Sequence, residues 1–131
     1  MTARSPGFTL VELMVVVAII GILSATGIIT YNGYISSTKQ KAAENAMQQI
    51  SLAQIEEYSN SGEYHISDTC GDPDKTSSDE IETKLFGGGD IITKDSGYDM
   101  CVATDGSSYK IIASNNDKTI TLSANGVWTG K

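Results

Sequence analysis

The sequence predicts an α+β fold, in which a long N-terminal helix, apolar in its first half and amphipathic in its second, packs on a small antiparallel β-sheet head. Three observations carry that prediction. No charged residue stands between Glu12 and Lys39. From Lys39 to Tyr58, apolar residues recur at Ala43, Ala46, Met47, Ile50 and Ala53, which is one stripe of a helix. Nearer the C-terminus, Met100–Thr104, Tyr109–Ser114 and Thr119–Ser123 are short β-prone runs, punctuated by the turn formers Asp105-Gly106, Asn115-Asn116-Asp117 and Asn125-Gly126.

Taken in order, the chain divides into four segments. Residues 1–7 form a leader with one basic residue, Arg4, and no acid, too short for a secretory signal peptide. Residues 8–35 form an apolar helix that reaches the roughly 20 residues a bilayer core requires. Tyr31 and Tyr34 stand at its far end, where an interfacial aromatic belt belongs. Residues 36–61 continue the same helix with one greasy face, and Ser59-Asn60-Ser61-Gly62 ends it. Residues 62–131 form the head. Its first half, His65 to Gly89, is rich in Ser, Thr, Asp and Gly and reads as irregular, with a flexible turn at Gly87-Gly88-Gly89. Its second half holds the strands, with Val127–Thr129 as a short last one. The head alone is small for a stable core and needs the amphipathic helix as its partner.

Composition narrows the function. The formal net charge is -7 and no stretch of the sequence is a basic patch, the nearest thing being Lys39 and Lys41, which argues against direct nucleic-acid binding. The two cysteines, Cys70 and Cys101, are too far apart for zinc-site or thioredoxin-like spacing. On the far side of a membrane span they are expected to form a disulfide, because exported compartments are oxidising. Closing that loop is worth roughly 3 kcal/mol in the entropy model. His65, the single histidine, reads as a surface residue. The acidic segment around Asp72, Asp74, Asp79 and Glu80 fails the EF-hand pattern, with Cys70 at a ligand position and Pro73 where the Gly belongs. Gly87-Gly88-Gly89 lacks the Lys and Ser/Thr of a phosphate loop. Neither catalytic residues, a metal nor a cofactor is predicted. Phe8, Tyr31 and Tyr34 read as packing residues.

The segment Gly7-Phe8-Thr9-Leu10-Val11-Glu12-Leu13 resembles the processing signature of type IV pilins and the related pseudopilins. A short leader ends in Gly, Phe follows, Glu comes four residues later, and an apolar helix carries Ala18-Ile19-Ile20-Gly21-Ile22-Leu23. The likeness is close over about residues 1–35 and architectural beyond them. The resemblance implies a structural subunit, not an enzyme. A prepilin peptidase would cut between Gly7 and Phe8 and N-methylate Phe8. The mature subunit would wait in lipid as a single-pass protein of the bacterial inner membrane, head in the periplasm. Assembly machinery would then draw it into a homopolymeric extracellular pilus serving adhesion, motility or DNA uptake.

Glu12 fits that scheme on physical grounds. A carboxylate in lipid is costly. An amine created at Phe8 of one subunit and Glu12 of its neighbour would neutralise each other and fix the axial register. Two positions depart from the pattern. Ile29 stands where the family usually has a helix proline, so helix flexibility falls to Gly21 and Gly27. Pro6 stands where a basic residue often precedes the cleavage Gly. Two alternative readings are a major pseudopilin of a type II secretion system, against which the cysteines count, and a single-span membrane-anchored binding protein.

Overall fold

The computed structural model describes residues 7–92 and 96–131 of the chain, so leader residues 1–6 lie outside the described residues. The described chain divides after Ser36 into two compact units. Helix α1, Leu10–Ser61, runs through both as 52 residues without a break. Residues 10–36 of α1 are apolar and exposed almost throughout. By length and composition this helix is able to cross a membrane.

The second unit is built on the C-terminal half of α1. Ala43, Met47 and Ile50 are fully buried, and Ala46 nearly so. They meet a four-stranded sheet of order β1-β2-β3-β4, comprising β1 Asp99–Asp105, β2 Ser108–Ser114, β3 Thr119–Ser123 and β4 Trp128–Thr129. All neighbouring strands are antiparallel, and Asp105 pairs with Ser108 across the Gly106-Ser107 turn. The period of two in a pleated strand explains the burial pattern. Met100 and Val102, then Tyr109, Ile111 and Ala113, then Ile120 and Leu122 all enter the core. The expected α+β architecture, long helix on small antiparallel sheet, is what the structure has.

The first half of the head departs from expectation. It holds a second helix, α2, Lys75–Phe86. The residues that made the segment read as a loop are the ones that start and stop this helix. The Asp74 carboxylate accepts from the Ser77 N–H at 2.8 Å, and the Ser77 hydroxyl accepts from the Asp74 N–H at 3.0 Å, forming a reciprocal capping box. Gly87 ends α2 at φ 76°, a left-handed conformation that costs glycine little. Between these ends Ile81 enters the core, with Leu85 and Phe86 packed against it.

The same serines close the open edge of β1. The Ser78 hydroxyl accepts from Met100 N–H at 2.9 Å, and the Ser77 hydroxyl donates to Met100 O at 2.8 Å. One strand register on, the Ser67 hydroxyl accepts from Val102 N–H at 3.0 Å, while Ser67 N–H donates to Val102 O at 2.9 Å. An unpaired strand edge is a template for wrong pairing, and here small hydroxyls occupy it. At the other end, Gly130 lies against the Thr119 carbonyl so closely that any Cβ would clash with it.

Candidate functional site

The N-terminal unit carries the residues that the sequence singled out. Phe8 is 88 % exposed and precedes the helix. Thr9 and Glu12 form a capping box of their own. Glu12 Oε2 accepts from Thr9 N–H at 3.0 Å, and the Thr9 hydroxyl accepts from Glu12 N–H at 3.2 Å. Sequence reasoning missed this role, although Thr9-Leu10-Val11-Glu12 has the T-x-x-E spacing that signals it. The carboxylate also sits in the first turn of α1, where the helix dipole favours a negative charge. One oxygen is used within the chain, and a carboxylate has acceptor capacity for further donors. Glu12 is therefore both the start signal of its own helix and an anion placed four residues from Phe8.

Around Gly21 and Gly27 the helix is uninterrupted, and the space that a side chain would fill at each is open. Two threonines near Gly27 hydrogen-bond back into the ladder, Thr26 to Leu23 O at 3.1 Å and Thr30 to Thr26 O at 3.1 Å. Such back-bonding weakens and often bends a helix. This turn, Thr26-Gly27-Ile28-Ile29-Thr30, has three weak helix formers close together.

In the head, Cys70 and Cys101 are joined by a disulfide with Cα atoms 5.5 Å apart. Cys101 is fully buried on the β1 face opposite Met100 and Val102, so the bridge ties the segment before α2 onto that strand. Behind it, the helix exit is fixed by Gln54. This fully buried side chain accepts from His65 N–H at 2.8 Å and donates to His65 O at 2.7 Å. Tyr58, Tyr64 and Tyr109 continue the packing, with ring centroids 4.7 Å apart in each successive pair. Gln54 follows directly on the apolar stripe, and its polarity concealed its place in the core.

His65 is a correction to the sequence reading. Its side chain is 11 % exposed, and Nε2 is buried 3.7 Å from Glu80 Oε1 without a hydrogen bond. Desolvation holds the imidazole below its ordinary value of 6.5 and outweighs the carboxylates of Glu80, Glu57 and Asp68, with Lys84 acting in the same direction as burial. Below about pH 6.5 the unfolded chain therefore binds more protons than the folded one, and stability falls with pH until the folded value is passed. Denaturant unfolding between pH 8 and 5 is expected to show this loss in the wild type. His65→Leu should flatten the part of the profile just below pH 6.5, and an unchanged profile in the variant would refute the assignment. Among the described residues, no group of three or more His, Cys, Asp or Glu side chains is arranged to hold a metal ion.

Comparison with known proteins identifies the N-terminal segment. Residues 3–28 match the family described as "Prokaryotic N-terminal methylation motif". The chain is 59 % identical over 39 residues to a type IV major fimbrial protein FimA of Dichelobacter nodosus, covering 30 % of this chain and 24 % of that one. It is 57 % identical over 53 residues to another FimA from the same species, covering 40 % and 29 %. A fimbrial protein from that species is 53 % identical over 53 residues, with the same two coverages. The chain thus spans under a third of the length of these curated relatives. No solved structure matches it.

Proposed function

We propose that this chain, whose N-terminal segment matches the prokaryotic methylation motif and is similar to that of type IV fimbrial proteins, is a structural subunit of a type IV pilus. The observation that carries the reading is the uncovered surface of α1. Leu10, Val11, Leu13, Met14 and Ile22 are each more than half exposed, as are Leu23, Ile28 and Ile29. At about 25 cal/mol per Å², so much apolar area is not left in water. Lipid covers it first, and the same helix of other copies covers it in a filament.

In this reading a prepilin peptidase cuts between Gly7 and Phe8 and methylates the new amine. The mature chain, residues 8–131, rests in the inner membrane until the assembly machinery extracts it. The Phe8 amine then enters the helical core of the filament, where Glu12 of a neighbouring subunit receives it. Gly21 and Gly27 give the helix the freedom to adjust as it leaves lipid. Adhesion, motility or DNA uptake are properties of the polymer.

The test is mass spectrometry of sheared surface filaments seen by electron microscopy. The main band should begin at Phe8 with one added methyl on its α-amine and should contain the disulfide. A filament subunit that retains Met1, or a cell surface without any filament containing this chain, would overturn the proposal.

A further inference from the structure

The lysines of this acidic protein are not evenly spread. Lys41 lies one turn before Glu44 on α1 and pairs with it at 3.1 Å, and Lys39 stands two residues before Lys41. Lys118, in the turn between β2 and β3, donates to Gln40 Oε1 at 3.0 Å. Lys131 approaches Glu44 Oε1 at 3.8 Å and lies over the Trp128 ring at 4.8 Å from its centroid. Four cations thus gather round residues 39–44 of one helix. The acid that pairs with them is Glu44, and Asp117 adjoins Lys118 in sequence. Glu44 is buried, and hydrogen bonds from Gln40 and Lys41 with the charge of Lys131 outweigh its desolvation, so its carboxylate stays ionised and is already paired. Apart from these residues, the sequence of residues 37–131 contains four lysines and thirteen acids.

The position of this group in the chain gives it a partner. Residues 13–38 carry no charge, and a helix of that length rises about 39 Å, close to the full thickness of a bilayer with its headgroups. The first charges after that run are Lys39 and Lys41. A span over that run would bring them to the phosphates, within a Debye length of about 10 Å.

We infer that Lys39, Lys41, Lys118 and Lys131 form a basic collar that binds the anionic headgroups of the phospholipid leaflet from which α1 emerges. The collar holds the subunit at a fixed depth while it waits for assembly, and the acidic remainder of the head is repelled from the same surface. The inference rests on the membrane-span reading of α1.

The experiment uses the full chain in nanodiscs of phosphatidylcholine, with or without phosphatidylglycerol. Lysines are acetylated briefly with an amine-reactive ester and read by mass spectrometry. In phosphatidylglycerol discs at low salt the collar lysines should react about threefold more slowly, while Lys84 and Lys110 keep their rates, and high salt should abolish the difference. Equal rates in the two lipids would overturn the collar and leave the membrane span standing. Protection in phosphatidylcholine alone that rises with copies per disc would assign the lysines to a second copy and overturn the lipid assignment. Failure of the chain to enter either disc would overturn the span reading, and the collar with it.

Discussion

Replacing Glu12 by Gln is expected to stop filament assembly while sparing membrane insertion and cleavage after Gly7. The substitution isolates the charge. A Gln side-chain oxygen can still accept from Thr9 N–H, so the capping box that starts α1 survives. In the proposed assembly, what is lost is the counter-charge for an incoming Phe8 amine. Leaving one partner of a buried pair unpaired costs about 3–5 kcal/mol, so filament yield should fall by at least about tenfold. The measurement compares membrane-bound mature subunit with sheared filament in cells that lack the wild-type chain. Thr9→Val is the control, because it removes the cap hydroxyl, worth about 1 kcal/mol, and keeps the carboxylate. Normal filament from the Gln variant would sink the charge-pairing idea. Equal loss from Thr9→Val would mean that the helix start, not the charge, is what assembly requires.

The second large effect should come from Cys70→Ser. The bridge closes a separation of 31 residues, and that segment holds α2 together with the serines that seal β1. Its loss should cost about 2–4 kcal/mol. For a head of this size that lowers Tm by more than about 10 °C. Reductant should lower the wild-type Tm by a similar amount and leave the variant unchanged. The edge of β1 should then open, and aggregation on heating should rise with it. A variant melting within about 2 °C of the wild type would show that the hydroxyl contacts of Ser67, Ser77 and Ser78 hold the segment without the bridge.

The sequence by itself determined the parts of this protein that are local or that repeat. Helix α1 was legible over its whole length, because an uncharged run and then an apolar stripe at helical spacing need no knowledge of what lies opposite. The strands were legible because β-branched runs between Asn-Gly and Asp-Gly turns restrict the backbone locally, and each expected strand agrees with the observed one to within a residue or two at its ends. The Gly7–Phe8–Glu12 pattern was legible because its spacing is contained in a few residues.

Tertiary structure decided what depended on a distant partner. Helix α2 hid inside a polar stretch because Asp74, Ser77 and Ser78 look like loop residues until their hydroxyls and carboxylate are seen to cap a helix and satisfy Met100. Gln54 looks like a surface residue, yet it is buried because two backbone groups of His65, eleven residues away, use both ends of its amide. His65 itself was read as exposed, but Gln54 pins its backbone and the fold carries its ring into the interior beside Glu80. Gln54, Ser77 and Ser78 are buried because their hydrogen bonds are satisfied by groups brought near only by folding, whereas the His65 ring is carried inward with Nε2 left without one, and sequence periodicity registers neither.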